Sequence, residues 1–414
     1  MQKKDILEIK KRFKKDQATF SKMTGCYVNG EKKIVTKFRE TFLNLEEDEY
    51  HKYLEIAKKV LTGTVGNNLL ELRFQQEVGR VTEKQTFYMD LKRTRLLKDE
   101  LLDTFYESVI ENYHYVGNFI ILLFHDAYDV ITKTEDNLKL DESEEVYEYV
   151  LCAVCPVSLS DPGLSYVEDE NMIRARHRDW VVEMPRHGFV YPAFIDRSQD
   201  LDAMMYFTKN AKDPHPEFME DILGCQMKET AQLQKESFQA MVKGSLEDGN
   251  QPSEEIFMEV QDQLSAMVTD YKATYADADV EPMVLTQRDV EGLLTDSGIP
   301  ENVTKEITAS YGSYYGEDLP LAESLIDAKV LKEKQQRDKE ERLKKEVSLL
   351  HRELEKVKEE KEKEETGDYD VILRVKEEKV SKIRSQVIDG QKCIVIPVED
   401  HEQAMINGVE DLLK

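Results

Sequence analysis

The chain has 414 residues and carries 84 Asp and Glu against 57 Lys and Arg, a formal net charge of −27 at pH 7. Its length allows two to four domains, and its negative charge argues against non-specific binding to DNA, RNA or anionic lipid, whose phosphates it repels. Hydrophobic residues make up 40% of the chain, enough for sizeable cores, yet no run approaches the ~18 apolar residues of a membrane-spanning helix.

The opening stretch, MQKKDILEIKKRFKKDQ, places Ile6, Ile9 and Phe13 at helical spacing and basic residues on the other face. It lacks the apolar stretch and cleavage site of a signal peptide. Lys3, Lys4, Lys10, Lys11, Arg12, Lys14 and Lys15 are an exception to the acidic trend; the expectation is an amphipathic surface helix docked on this same chain. Asn29-Gly30 stands between two short β-prone runs and signals a tight hairpin turn. NLEEDEYHKYLEIAKKVLTG reads as a strong helix, with Tyr50, Tyr53, Leu54, Ala57 and Leu61 on one face, acids leading and lysines trailing. LTGTVGNN, after it, has no Lys-Ser or Lys-Thr and is read as a helix cap and turn, not a phosphate loop. A further helix is expected over about residues 96–114.

The texture then changes to strand. NFIILLFHDAYDVI and EEVYEYVLCAVCPV are apolar runs, and RDWVVEMPRHGFVYPAFID reads as two strands about a Pro185–Gly188 turn. LDAMMYFTK follows as a strand or a short helix. Short connections between neighbours predict an antiparallel meander. Residues 213–331 are acidic and mainly helical; within them VEGLLTDSGIPENVTKEI has helix-turn-helix spacing, but Glu301 and Glu306 against Lys305 are the wrong charge for DNA, so a helical hairpin is expected. Residues 332–366 predict a long charged helix. Leu343, Val347, Leu350, Leu354 and Val357 form a heptad seam in it, two heptads long, that is expected to pack on another helix in this chain or a partner. Residues 367–414 predict a small β unit, with an Asp389-Gly390 turn, and a short terminal helix.

The expected fold class is therefore α+β. A mainly helical region with a short hairpin (1–116) precedes an antiparallel β core (117–212), an acidic helical region (213–331), the charged helix (332–366) and the C-terminal β unit (367–414).

The five cysteines are scattered and odd in number, unlike a secreted disulfide framework, and imply a reduced, cytoplasmic setting. Cys152 and Cys155 form a C-x-x-C, but residues three apart in a strand point to opposite faces, so two buried thiols are expected rather than a metal knuckle. No metal or cofactor site is assigned. His125, Asp126 and Asp129 cluster where an apolar strand ends, and His177, Asp179, Asp196 and Arg197 are candidates to join them. Carboxylates and imidazoles converging there would suit a metal-dependent hydrolase; the alternative is that they solvate the strand end and form ion pairs. No nucleophilic triad is assignable: G-x-S-x-G is absent, and no cysteine has an evident electropositive niche.

Five stretches in order, GCYVNGEKK, LTGTVGNNLLELRF, VYEYVLCAVCPVSLSDPGLSY, RDWVVEMPRHGFVYPAFIDRS and VIDGQKCIVIPV, resemble an uncharacterised bacterial family, domain-of-unknown-function family forty-three seventeen. The resemblance covers about residues 1–400 and implies an intracellular protein of anaerobic Gram-positive bacteria, with no activity or catalytic residue to carry over. The functional expectation is a non-catalytic interaction or regulatory protein, with the seam as a partner surface. The alternative is a hydrolase using His125, Asp126, Asp179, Asp196 and Arg197.

Overall fold

The computed structural model describes residues 1–14, 20, 22–75, 81–130, 145–247, 253–275, 282–316, 318–366, 371, 373, 375–399, 405–406 and 409–410. They form two compact units, Met1–Lys332 and Glu333–Lys414.

The first unit is mixed α and β around one large antiparallel sheet. Helix α1 (Lys3–Lys11) leads into strands β1 (Lys22–Val28) and β2 (Ile34–Thr41). Helix α2 (Glu47–Val60), strand β3 (Leu69–Arg73), and helices α3 (Glu83–Arg93) and α4 (Asp99–Asn112) follow. The two longest strands are β4 (Asn118–Val130) and β5 (Glu145–Leu159). Short strands come next: β6 (Leu164–Val167), β7 (Met172–Ala175), β8 (Trp180–Val182), β9 (His187–Tyr191), β10 (Ala193–Ile195), β11 (Ser198–Asp200) and β12 (Ala203–Thr208). The sheet order is β2-β1-β4-β5-β9-β12-β3, with β8 also on β5. The meander expected within 117–212 is thus its middle. The hairpin β1–β2 adds one edge and β3 the other, so the first 116 residues complete the sheet as well as supplying helices.

Successive side chains of the central strands are buried on alternate faces of the sheet. Ile120, Leu122 and Phe124 of β4 join Leu151, Ala153 and Cys155 of β5 in a core with Ile6 and Ile9 of α1 and Leu54, Ala57 and Val60 of α2. Phe119, Ile121 and Leu123 join Val150, Cys152 and Val154 in a second core, with Tyr88 and Leu91 of α3 and Phe105, Tyr106 and Val109 of α4. Helices thus cover both faces, which is why these strands read as continuous apolar runs rather than alternating ones. Cys152 and Cys155 face opposite cores, and burial pushes both thiols up.

The turn expected at Pro185–Gly188 does not reverse the chain. β8 pairs with Val157–Leu159 and β9 with Val150–Val154, along the same side of β5 and in the same direction. The pairing shifts between Val157↔Val182 and Val154↔His187, so Glu183–Arg186 form a bulge. Pro and Gly suit bulges as well as turns. Gly188 is required by close approach: a Cβ there would lie 2.4 Å from the Cys152 carbonyl oxygen and 2.9 Å from a Val60 methyl.

Helices α5 (Ala231–Glu247), α6 (Ser253–Thr274), α7 (Gln287–Asp296) and α8 (Glu301–Tyr315) enclose a third core, built on Phe238, Phe257, Leu264, Val290, Leu293, Ile307 and Tyr311. α7 and α8 are the expected helical hairpin, turned at Gly298 with φ 79°. Thr286 caps α7 in a reciprocal box with Asp289.

In the second unit, most of α9 (Ala328–Thr366) is followed by α10 (Glu377–Val380) and the hairpin β13 (Arg384–Ile388)–β14 (Gln391–Val395), turned at Asp389-Gly390 as expected. Where a terminal helix was expected, the described residues form a two-residue strand pair, β15 (Met405–Ile406) with β16 (Val409–Glu410).

Candidate functional site

The five candidate catalytic residues do not form one site. His125 and Asp126 are consecutive on β4 and leave it on opposite faces. His125 is buried, and its Nε2 lies 2.9 Å from Glu148 Oε1, which also accepts from Arg95 Nε at 3.2 Å. Burial lowers the imidazole pKa, against the pull of Glu148. On the other face, Asp126 Oδ2 accepts from the buried Tyr149 hydroxyl at 2.8 Å, and Oδ1 from the Ala127 amide at 2.9 Å. Asp179 adjoins Trp180, which pairs with Leu159, whereas His125 pairs with Val150. Nine strand positions at ~3.3 Å put Asp179 roughly 30 Å away. Asp179 is exposed, with His177 Nε2 at 3.6 Å. Asp196 and Arg197, both at positive φ, form the two-residue turn between β10 and β11. Asp196 pairs with Lys4 at 3.0 Å and Arg197 with Glu8 at 3.2 Å, tying that turn to α1. The basic helix therefore docks in cis, with Ile6, Ile9 and Phe13 buried.

A buried polar cluster arises from residues that no sequence spacing links. The Tyr206 hydroxyl donates to the Pro214 carbonyl at 2.8 Å, so His187 Nδ1, 2.9 Å from that oxygen, must be the donor in their contact. The His215 ring lies 4.5 Å from His187 between centroids, and its Nδ1 is 2.6 Å from Glu217 Oε1. Tyr113 packs on both rings and Phe218 on that of His187. The cluster clamps the loop before the π-helical turn Phe218–Ile222 onto β9 and β12.

Two shallow cavities, about 350 and 310 Å³, are lined by neither the candidate catalytic residues nor this histidine cluster. Among the described residues, no group of three or more His, Cys, Asp or Glu is placed to hold a metal ion. No helix among them is long and apolar enough to cross a membrane.

The most unusual surface is a β arm. Beyond Val157↔Val182, the chain pairs with itself in one unbroken register: Leu159↔Trp180, Leu164↔Ala175 and Val167↔Met172. Backbone bonds Ser160 N→Asp179 O and Arg176 N→Gly163 O, both 2.8 Å, carry the ladder between the assigned strands. The eleven positions from Val157 to Val167 extend about 35 Å at ~3.3 Å each. From Ser158 to Met184 no residue is buried. Nine large apolar side chains are exposed there: Leu159, Leu164, Tyr166, Met172, Ile173, Trp180, Val181, Val182 and Met184. Leu164 is 76% exposed, Ile173 60% and Trp180, the only tryptophan, 56%. Among the described residues, no third strand pairs with either edge of the β6–β7 ribbon. A two-stranded ribbon is marginal in water, and free edges with uncovered apolar residues mark a contact surface. A sequence signal exists in the polar run RHRD directly before WVV, which suits a solvated segment, although the β-branched residues suit a covered strand equally.

A second apolar surface runs along α9. Leu343, Val347, Leu350, Leu354 and Val357 are each about half-exposed.

A family model described as "Domain of unknown function (DUF4317)" matches residues 1–409. No curated protein and no solved structure matches the chain. With nearly the whole chain inside that match, the protein belongs to the DUF4317 family.

Proposed function

We propose that the protein works by binding another polypeptide through the β arm, as a non-catalytic interaction or regulatory protein of a reduced cytoplasm. The carrying observation is the arm itself: nine exposed apolar side chains along the ladder β5–β8 and its continuation β6–β7, which has no third strand on it among the described residues. An extended partner segment adding to either free edge would satisfy the backbone groups there and cover the apolar side chains. Four buried free thiols, Cys26, Cys152, Cys155 and Cys225, support the reducing setting. What weighs against the metal-dependent hydrolase is the placement of His125 and Asp126 on opposite faces, with Asp179 at the far end of β5.

Trp180 reports directly on this surface. In the free protein its fluorescence should be red-shifted and open to iodide quenching. Affinity capture from native lysate should recover partners that Tyr166→Asp/Ile173→Asp loses, and adding a purified partner should shield Trp180. Identical capture by both proteins, with Trp180 still quenchable, would remove the arm from function.

A further inference from the structure

We propose that α9 pairs with α9 of a second copy of this chain, parallel and in register. The spacing of the seam places Val347 and Leu354 at the a positions of a heptad, and Leu343, Leu350 and Val357 at the d positions. All five are about half-exposed on a continuous helix, so among the described residues nothing gives the apolar stripe the full cover that such a stripe requires. Val347 at a with Leu350 at d is the pairing that favours two parallel strands, whereas Leu354 at a with Val357 at d reverses it, so the apolar residues alone do not fix the arrangement.

The charges flanking the stripe select the occupant and its direction. The g positions hold Glu346 and Glu353; the e positions hold Lys344, His351 and Lys358. In a parallel pair each g residue faces the e residue five positions on in the other helix. Glu353 then meets Lys358 and Glu346 meets His351, each twice by symmetry. Outside the seam, by heptad position, Lys332 against Arg337, Lys339 against Lys344 and Glu360 against Glu365 oppose like charges. In an antiparallel pair, g faces g and e faces e. Glutamates then face glutamates and lysines face lysines along the seam. A second copy in parallel register is thus the occupant whose charges complement this helix at these positions. Two heptads make the pairing weak and concentration-dependent, consistent with a reversible dimer.

The test uses the full chain with Cys393→Ser, which removes the one cysteine that is not buried. In that background, Val347→Cys and Val357→Cys, which would face each other in an antiparallel pair, should each form a self-linked dimer under mild oxidation. Sedimentation of the uncrosslinked chain should show a monomer–dimer equilibrium as concentration rises towards the millimolar range. Glu353→Lys should weaken that dimer roughly three- to tenfold, from two lost ion pairs of the surface kind, and adding Lys358→Glu should restore it. Cross-linking only in a mixture of the two cysteine variants would mean an antiparallel pair and overturn the proposal. So would a monomer at every concentration, or a Glu353→Lys protein that dimerises like the original. Tyr166→Asp/Ile173→Asp should leave the cross-links unchanged, so that failure of the arm reading and failure of this one are seen separately.

Discussion

His187 carries the clearest consequence of burial at the scale of a single residue. Desolvation, with His215 and Arg186 beside it, pushes its pKa well below the ordinary 6.5. Burial shifts His125 in the same direction. A histidine held neutral in the folded state binds fewer protons than the unfolded chain just below 6.5, so stability is fully present above that value and declines as pH falls below it. His187→Gln keeps a side-chain amide that can donate to Tyr206, but it does not titrate. It should lower stability at neutral pH through lost ring packing, and its thermal midpoint should fall less than the original's between about pH 7 and pH 5. Equal acid slopes for the two proteins would show that His187 is not a site of this linkage. At this scale the cysteine pair was legible, because strand parity alone separates Cys152 from Cys155. The histidine cluster was not, because His187 and His215 meet only when the loop after β12 folds back onto β9.

Among the elements, β4 and the β arm show how similar residues do different work in different surroundings. Leu123 lies in β4 between covered faces, with no exposure. Ile173 sits on the uncovered ribbon β6–β7. Leu123→Ala should cost ~2–5 kcal/mol, the range for emptying a packed core site. Ile173→Ala should stay within about 0.5 kcal/mol, as surface changes do. Urea denaturation of the two variants checks this directly, and a large loss from Ile173→Ala would mean that the arm is held in cis. Helix faces were readable because the apolar period of α1, α2 and α4 matches the helical repeat. The reading failed at Glu183–Arg186, where Pro185 and Gly188 signalled a reversal. The same residues serve a bulge when the partner strand is long enough to pair on both sides of it, and the fifteen-residue β5 is.

For the whole molecule, charge is the most direct lever. A formal net charge of −27 should leave duplex DNA essentially unbound at physiological salt, as fluorescence anisotropy with a labelled duplex would show. A salt-sensitive complex abolished by changing Lys10, Lys11 and Lys14 to Ala would show instead that α1 outweighs the field of the entire chain. By itself the sequence determined the balance of charge, the α+β class, the main helices, the central apolar strands and the heptad stripe of α9. Each of these is local: it follows from residue type, from a short-range period or from a simple sum over the chain. Tertiary structure alone decided that the first 116 residues finish the central sheet, that His125 and Asp126 turn away from each other into separate surroundings, and that the apolar strand around Trp180 stands uncovered while the one around Phe189 is sealed. The physical reason is that exposure and convergence depend on which distant segment arrives at each face, and apolar side chains that would suit a core look the same in the sequence whether or not anything comes to cover them.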